Sequence, residues 1–408
     1  MKKQILFIVI AMVLIGNLSF AEGFKTGLEV FIEKDSIIYK NKRVGIVTNA
    51  TGVTSNGVQN VDAMIRAGIN VVKLFGPEHG IRGDIGAGEK VKDMVDKKTG
   101  LPVYSLYGST RRPTKEMLEG VDVIVYDIQD IGVRSYTFIS TLAYVMQEAA
   151  KYNIEVVVFD RPIAMYGNLV DGNILETGFS SFIGLYPISY VYGMTSGETA
   201  KFFNKEFNIN AKLTIIKMEG YSHEMSYKDT GLKWVAPSPN IPKAETPYFC
   251  AATGIFGELG TLSGGIGCNM PFEVLGDVGL DGKKIAEWLN AKSLPGVNFN
   301  SIEFIPKAGK FKNKNCSGIK IEITDEKKFK PFMTEIYLFE VFYKLYPNKK
   351  YLGNIKDVGN KSLFEKAMGT DKIRAMIFEG KASEEIINSY DTDLEIFKNR
   401  REQYLLYK

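Results

Sequence analysis

The stretch Val71-Val-Lys-Leu-Phe-Gly-Pro-Glu-His-Gly-Ile-Arg-Gly-Asp84 is the most informative part of this chain. Its apolar first part, Val71 to Phe75, stops at Gly76-Pro77, which is typical of a β-strand ended by a loop. A charged cluster follows directly and contains Glu78, His79, Arg82 and Asp84. Open α/β folds keep their active sites just past the carboxyl ends of strands, so the stretch predicts both a strand of such a fold and a candidate site.

Strand-like and helix-like patterns alternate through the first half of the chain. Short apolar runs predict strands at 43–48, 71–75, 103–107, 121–126 and 155–159, and helical spacing predicts helices at 61–67 and 136–152. Continuous apolar strands separated by helices indicate a mainly parallel sheet that is covered on both faces. We therefore expect an α/β fold of the Rossmann-like type. The Gly-x-Gly-x-x-Gly fingerprint is missing, so no nicotinamide cofactor is predicted.

The pattern changes near residue 235. The stretch Trp234-Val-Ala-Pro-Ser-Pro-Asn-Ile-Pro242 predicts an extended crossing segment, and Gly-rich loops are expected between Gly254 and Gly267. Beyond them, a strand is predicted at 317–324, a helix at 329–346 and an amphipathic helix near the C-terminus. We divide the chain into a segment 1–21, a Rossmann-like catalytic domain 22–235 and a smaller α/β domain 236–408 that contributes to the cleft.

The first 21 residues resemble a secretory signal peptide. Lys2 and Lys3 form a basic start, an apolar run covers 5–15, and Ser19-Phe20-Ala21 is a small-x-small cleavage site. The apolar run is too short for a comfortable membrane span. No cysteine follows it, so a lipid-anchored precursor is not supported. We expect an exported protein, periplasmic or extracellular, without membrane association after cleavage.

Composition narrows the classes of partner. The formal net charge is +4 and basic runs are missing, which argues against nucleic acid. The three cysteines, Cys250, Cys268 and Cys316, lack metal-ligand spacing, and either one disulfide or three buried thiols is compatible with them. Glu78, His79, Asp127 and Asp130 could offer metal ligands, but no His-x-x-x-His or Asp-x-Asp spacing supports such a site, and no metal is predicted.

Four predicted strands end in polar residues. These ends carry Thr48-Asn49, Glu78-His79, Asp127 with Gln129-Asp130, and Asp160-Arg161. In a parallel sheet all of them lie on one edge, so residues that are distant in sequence converge on one crevice. Desolvation and neighbouring charges shift pKa values there, which is the setting for general acid–base catalysis.

The charged residues at these strand ends allow a functional and a structural interpretation. Glu78 suits a proton donor whose pKa is raised by partial burial, or a salt bridge to Arg82 or Arg134. The guanidinium groups of Arg111, Arg112 and Arg134 suit a substrate carboxylate. They suit ion pairs with the aspartates of the strand ends, Asp127, Asp130 and Asp160, equally well.

Several longer runs resemble the exo-acting β-N-acetylmuramidases of the NamZ type, a group long catalogued as a domain of unknown function. In chain order these runs are Gly76-Pro-Glu-His-Gly-Ile-Arg-Gly83, Leu101-Pro-Val-Tyr-Ser-Leu-Tyr-Gly108, Arg111-Arg-Pro-Thr114, Tyr126-Asp-Ile-Gln-Asp-Ile-Gly132, Gly193-Met-Thr195, Pro237-Ser-Pro-Asn240, Cys316-Ser-Gly318 and Tyr404-Leu-Leu-Tyr407. The resemblance extends from about Thr26 to the C-terminus.

The resemblance implies a Rossmann-like domain, a smaller α/β domain and a cleft between them. It also implies a secreted glycoside hydrolase that releases N-acetylmuramic acid from the non-reducing end of peptidoglycan fragments, with Glu78 as the acid/base. His79 is the second catalytic candidate. The candidates for binding the saccharide are Asn49, Arg82, Arg111, Arg112, Asp127, Gln129, Asp130, Arg134, Tyr136, Asp160 and Asn240. The alternatives are a cell-wall-fragment binding protein that has lost turnover and a metal-dependent hydrolase.

The chain departs from the family pattern at several positions. Ile163-Ala164 stands where relatives usually have Asn-Pro, and Val191-Tyr192 where they commonly have Arg-His. Ser263-Gly-Gly-Ile-Gly267 replaces a typical Ser-Glu-Gly-Arg-Gly, and Met270 occupies a frequent arginine position. These changes remove polar groups from the expected cleft, so we expect weaker binding or an altered sugar preference rather than a different fold.

Overall fold

The structure, a computed structural model, describes residues 23–81 and 93–407. The expected signal segment and the candidates Arg82 and Asp84 lie outside these residues. The strands are β1 Val44–Thr48, β2 Val71–Gly76, β3 Met94–Val95, β4 Pro102–Ser105, β5 Val123–Asp127, β6 Glu155–Phe159, β7 Asp171–Ile174, β8 Ser189–Val191, β9 Lys212–Ile216, β10 Val274–Asp277, β11 Val297–Phe304 and β12 Cys316–Ile323.

Twelve α-helices, each at least one turn long, accompany these strands in the described ranges. They are α1 Gly27–Val30, α2 Ser36–Tyr39, α3 Asn60–Arg66, α4 Lys115–Leu118, α5 Phe138–Lys151, α6 Ser196–Glu206, α7 Thr246–Leu259, α8 Gly282–Asn290, α9 Pro331–Leu345, α10 Leu363–Met368, α11 Lys372–Phe378 and α12 Ser383–Arg401. Among the residues that the structure describes, none of these helices is long and apolar enough to cross a membrane.

The first half of the chain builds a seven-stranded sheet in the order β3-β4-β2-β1-β5-β6-β9. All neighbouring strands are parallel except the short edge pair β3–β4. The chain first builds outward from β1 through β2 to β4 and then continues on the other side of β1 with β5. This reversal between β1 and β5 is the topological switch point of a Rossmann-like fold. The predicted fold class is confirmed.

Side chains of the central strands alternate between the two faces of this sheet. Val123 and Val125 pack into one hydrophobic layer together with residues of α1 and α3. Ile124 and Tyr126 pack into the other, against α5. Both layers are buried, which explains why the strands are continuous apolar runs rather than alternating ones.

The second half forms a smaller α/β unit around an antiparallel sheet in the order β10-β12-β11. Its helices share one hydrophobic core with the first half: Val133 and Phe202 belong to the same buried cluster as Phe256 and Phe332. The two halves are therefore packed against each other by apolar burial, the dominant favourable term in association.

The structure contains elements that the sequence did not predict, and one expected loop is partly a helix. An additional parallel strand, β9, lies beyond β6, because its partly polar pattern did not stand out in the sequence. The expected Gly-rich loop between Gly254 and Gly267 is wrong in its first part, where Gly254 and Gly257 lie inside α7. Burial of this helix outweighs the roughly 1 kcal/mol that each helical glycine costs. The three cysteines are free thiols.

Candidate active site

A cavity of about 620 Å³ lies between the two halves of the molecule, and we call it the interdomain cavity. The first half supplies Glu78, His79, Tyr107, Arg111, Ser135, Tyr136, Thr137 and residues 181–183. The second half supplies Ser238, Asn240, Ile241, Cys250, Gly254, Glu258, Phe272, Leu363 and Lys366. Polar groups from several loops and helices thus converge on one apolar-lined space, as in small-molecule sites.

The loop after β2 carries Glu78 into this cavity. Its start is fixed because the backbone N–H of Leu106, just past β4, donates to the carbonyl oxygen of Gly76 at 2.8 Å. The chain then turns sharply, with a φ angle of 71° at both His79 and Gly80. A positive φ is uncommon at a non-glycine residue and marks local strain of the kind found at functional sites. His79 is buried at the cavity wall.

Hydroxyl groups surround the Glu78 carboxyl group. Thr137 Oγ1 donates a hydrogen bond to Glu78 Oε2 at 2.7 Å. Burial, the charge of Glu78 and a hydrogen bond to it raise the pKa of Tyr107 to about 12. Tyr107 is therefore a neutral donor near pH 7. Thr137 is also the N-cap residue of α5, so the positive end of this helix lies beside Glu78.

A second carboxyl group, that of Glu258, lines the same cavity. Cys250, Gly254 and Glu258 are spaced by four residues along α7 and therefore share the helix face that forms the cavity wall. Glu258 is exposed overall, and its carboxyl group is partly buried where it lines this cavity. This partial burial, followed by the negative charge of Glu78, raises the pKa of Glu258.

Two cations complete the wall of the cavity. The Arg111 guanidinium lies over the ring of Phe182 at 4.3 Å and near that of Tyr107 at 5.8 Å. Stacking of this kind orients a guanidinium while its N–H groups stay free to bind an anion. Lys366, on α10, is the second cation, and it comes from the other half of the molecule.

Arg134, a candidate for binding substrate, instead holds α10 in place. Its side chain is 1% exposed and donates to the carbonyl oxygens of Asn173 and Ile188 at 2.6 and 2.8 Å. It also donates to those of Ala367 and Met368, the last residues of α10, at 3.2 and 2.6 Å. Burial lowers its pKa to about 9. Arg134 does not line the interdomain cavity, but it fixes the helix that carries Lys366.

The polar residues at the switch point form a hydrogen-bonded network, which we call the switch-point cluster. It consists of Thr48, Asn49, Asn60, Asp127 and Arg161, all buried. Arg161 Nε donates to Asp127 Oδ1 at 2.6 Å, and Asn60 Nδ2 donates to Asp127 Oδ2 and Thr48 Oγ1, both at 2.8 Å. The protein's own side chains thus occupy part of the crevice that usually binds ligands in such folds.

Asn49, a predicted binding residue, serves the loop that follows β1. Its Oδ1 accepts hydrogen bonds from the N–H of Thr51, at 2.9 Å, and from the Thr51 hydroxyl, at 2.5 Å. The same loop contains Gly52, where a Cβ atom would lie 2.3 Å from Thr48 Oγ1 and 2.4 Å from Asn60 Nδ2. Only glycine permits this close approach.

Asp160 and Asp130 are also internal. Asp160 accepts hydrogen bonds from Thr195 Oγ1 and the Tyr407 hydroxyl, both at 2.7 Å, which ties α6 and the C-terminal segment to the sheet edge. Asp130 accepts from the N–H of Gly132 at 2.7 Å and from Tyr192. Burial raises the pKa of both carboxyl groups to about 6.

Arg112 and Gln129 lie outside the interdomain cavity. Arg112 stacks on Tyr144 at 3.8 Å and donates to the side chains of Gln147, at 2.6 Å, and Glu148, at 3.1 Å. Gln129 lines a smaller cavity of about 230 Å³ beside the switch-point cluster. Adjacent arginines thus have different surroundings, with only Arg111 in the interdomain cavity.

The structure therefore brings together only part of the predicted set. Of the described candidates, the interdomain cavity contains Glu78, His79, Arg111, Tyr136 and Asn240. It also contains residues that sequence reasoning missed, chiefly Tyr107, Thr137, Glu258 and Lys366. Tyr107 is the last residue of the predicted strand 103–107 and could have been included as a strand-end residue, whereas Thr137 lies at the start of the predicted helix 136–152. Glu258 was hidden because its glycine-rich surroundings suggested a loop. Within 23–81 and 93–407, no group of three or more His, Cys, Asp and Glu residues could hold a metal ion.

Comparisons with known proteins agree with this architecture. The family model for the N-terminal part of the exo-β-N-acetylmuramidase NamZ matches residues 44–245, and the model for its C-terminal part matches residues 248–407. The peptidoglycan β-N-acetylmuramidase NamZ of Bacillus subtilis is 41% identical over 385 residues, which cover 94% of this chain and 91% of the relative.

Two crystal structures of DUF1343 family proteins from Bacteroides fragilis are also similar. One has a TM-score of 0.88 at 37% identity and the other a TM-score of 0.75 at 30% identity. Each comparison covers 94% of this chain and 99% of the solved chain. The two family models and these relatives together show that the chain belongs to the NamZ family of exo-β-N-acetylmuramidases.

Proposed function

We propose that this chain is a glycoside hydrolase that releases N-acetylmuramic acid from the non-reducing end of peptidoglycan fragments. The observation that carries the proposal is the interdomain cavity, which combines the Glu78 carboxyl group with the cations of Arg111 and Lys366. Glycosidases use carboxyl groups for the proton transfers of hydrolysis. The Bacillus subtilis relative is a peptidoglycan β-N-acetylmuramidase, which supports the same reaction here.

The shape of the cavity supports action at a chain end. Its volume of about 620 Å³ lies within the range of roughly 300–1,000 Å³ that small-molecule sites occupy. Walls from both halves of the molecule enclose it. A space of this kind suits the terminal sugars of a glycan, whereas cleavage inside a long strand requires a groove that is open at both ends.

The two cations support selectivity for muramic acid. Muramic acid differs from N-acetylglucosamine by a lactyl carboxylate, and a guanidinium can bind a carboxylate through two parallel hydrogen bonds. The ring of Phe182 orients the Arg111 guanidinium, as its distance of 4.3 Å indicates. We therefore assign binding of the lactyl carboxylate to Arg111, with Lys366 as the second cation beside it.

Export to the periplasm or the exterior belongs to the same proposal. The basic start and apolar run of residues 1–21 fit a signal peptide. Peptidoglycan lies outside the cytoplasm, so an enzyme acting on it there needs such a segment. Saccharides derived from peptidoglycan are the partners that this location offers.

A cell-wall-fragment binding protein is the second candidate. The departures from the expected family pattern at Gly264 and Ile266 favour it, because they remove two charged side chains from that pattern. However, neither residue lines the interdomain cavity. The carboxyl groups that hydrolysis needs are present in the cavity, so the hydrolase is the better supported function.

An assay of the purified chain with a 4-nitrophenyl β-N-acetylmuraminide and with a disaccharide that ends in muramic acid tests the proposal. We expect hydrolysis of both substrates that is unchanged by a chelator. Tight binding of the disaccharide without turnover would support the binding protein instead. Loss of activity with the chelator, restored by a divalent ion, would point to a metal-dependent hydrolase.

A further inference from the structure

We propose that Glu258 is a catalytic residue, the proton donor to the leaving sugar, and that Glu78 acts beside it as a carboxylate. The inference rests on the proposed function and deepens it by dividing the work between two carboxyl groups of the interdomain cavity. Sequence reasoning alone assigned the proton donor to Glu78 and did not include Glu258.

The position of Glu258 on its helix carries the first part of the inference. Cys250 and Gly254 precede it on the same face of α7, and all three line the cavity that contains Glu78. The Glu258 carboxyl group therefore faces the space in which a substrate in contact with Glu78 would lie.

The two carboxyl groups lie at opposite ends of helix dipoles. Glu78 accepts a hydrogen bond from Thr137, the N-cap of the 14-residue helix α5, where the helix dipole favours a negative charge. Glu258 lies in the last turn of the 14-residue helix α7, which ends at Leu259 with Gly260 as its C-cap, and there the dipole disfavours a negative charge. The dipole of α7 thus favours the neutral acid form of Glu258, in the same direction as its raised pKa.

The partners of the two carboxyl groups support the same division of roles between Glu78 and Glu258. Hydroxyl groups of Thr137 and Tyr107 donate hydrogen bonds to the Glu78 carboxyl group and hold it in place. Glu258 has no cation paired with it among the described residues, and partial burial and the Glu78 charge raise its pKa. A bound sugar would exclude further water from the cavity and strengthen both effects.

The chemical step then balances with water as the second substrate. The Glu258 carboxyl proton passes to the glycosidic oxygen while the bond from C1 to that oxygen breaks, and the electron pair of the bond stays on the oxygen. A water oxygen forms the new bond to C1, and its released proton goes to the Glu78 carboxylate. The products are N-acetylmuramic acid and the shortened saccharide. Proton transfer from Glu78 to solvent and from solvent to Glu258 restores the starting state.

Substrates with different leaving groups test the inference. A nitrophenolate leaves without protonation, whereas the sugar of a disaccharide needs a proton. We expect Glu258→Gln to reduce kcat/KM on the disaccharide by about 10²–10⁴-fold but on the 4-nitrophenyl muraminide by about tenfold or less. The fall of kcat/KM at high pH should move or disappear in this variant. Glu78→Gln should lose activity on both substrates.

The control is Glu245→Gln, which removes a carboxyl group next to the start of α7, outside the cavity, where it pairs with Lys228 at 2.8 Å. It should change neither rate. Melting temperatures identify a variant that has lost its fold, and Glu258→Ala then serves as the second variant. Equal losses of Glu258→Gln on both substrates, or wild-type rates on both, would overturn the inference. An inactive wild-type protein would instead refute the proposed function.

Discussion

The interdomain cavity and the switch-point cluster lie along the same edge of the same sheet, yet they use their polar residues in opposite ways. In the cluster, Asp127 is paired with Arg161 and Asn60, and no part of its side chain is exposed. In the cavity, Glu78 has its hydroxyl donors at one side and the open space in front. Polar residues after a strand therefore have two uses, and their partners distinguish them.

This difference explains why the candidate active site lies in the interdomain cavity and not at the switch point. The loop after β1 folds back over the switch point and brings Asn49, Thr51 and Asn60 into hydrogen bonds there. On the other side of β1, the loops after β2 and β4 turn toward α7 and α10 of the second half and leave a cavity between them. Catalytic groups are expected where polar atoms are held but not saturated.

The largest effect should come from Glu78→Gln. This change keeps the size and the hydrogen bonding of the side chain but removes the ionisable group, so disaccharide hydrolysis should fall by about 10²–10⁴-fold. Thermal unfolding should stay close to that of the wild type, because the residue faces the cavity. Near-wild-type turnover on an unactivated disaccharide would remove Glu78 from the mechanism.

Asp127→Asn should show the reverse pattern. It leaves the buried Arg161 charge uncompensated, and breaking a buried ion pair costs about 3–5 kcal/mol of the free energy of unfolding. The activity of the remaining folded protein should stay within about twofold, since Asp127 is not in the cavity. Denaturant titration and active-site-normalised kinetics measure the two quantities.

A surface pair provides the control for this stability prediction. Asp122→Asn breaks the ion pair with Arg43, whose charged atoms lie 2.7 Å apart. The side chains of Arg43 and Asp122 are 53% and 33% exposed. Such a pair contributes about 1 kcal/mol or less. If Asp127→Asn were no more destabilising than Asp122→Asn, or abolished kcat in folded protein, the structural role of the switch-point cluster would be wrong.

Arg111 and Arg112 are adjacent in sequence, but only Arg111 lines the interdomain cavity, so their variants can be compared directly. Arg111→Ala should weaken muramic acid substrates by about 10- to 100-fold in kcat/KM, the size expected for a lost charge-assisted hydrogen bond. Glucosamine analogues should be unaffected by the same change. Arg112→Ala is the matched control and should leave both unchanged, because Arg112 binds Glu148 outside the cavity. Equal losses on both substrates in Arg111→Ala would assign it a structural role.

The smallest effect is expected from restoring the family pattern in the loop after α7. A Cβ atom at Gly264 would meet no atom within 4 Å, so Gly264→Glu fits, and it can be combined with Ile266→Arg. The loop reaches the cavity only through Phe272, whose N–H donates to the Gly264 carbonyl oxygen at 2.7 Å. We expect a change of less than about tenfold in kcat/KM on the disaccharide, with the fold intact. An unchanged rate and affinity would show that the loop does not influence substrate.

The fold could be predicted further from the sequence than the site. Continuous apolar runs such as that of β5 predict a parallel sheet because both of its faces are buried. Polar residues after predicted strands made both Glu78 and Asp127 site candidates, and only Glu78 lines the interdomain cavity. That separation depends on Asn60 and Arg161, which reach Asp127 only through tertiary structure.

The residues of the second half were the hardest to predict. Glu258 and Lys366 reach the cavity because α7 and α10 pack against the first half, and no local pattern marks them. Arg134 shows the opposite problem. Its place in a polar motif suggested a ligand contact, whereas its partners are the backbone carbonyls that end α10.

The most direct test of the whole account is a crystal structure of Glu78→Gln with a disaccharide that ends in N-acetylmuramic acid. We expect the terminal sugar to lie in the interdomain cavity. Its glycosidic oxygen should be within hydrogen-bond reach of Glu258, and its lactyl carboxylate should lie beside Arg111. Density for the sugar in the crevice next to Arg161, with the interdomain cavity empty, would contradict it.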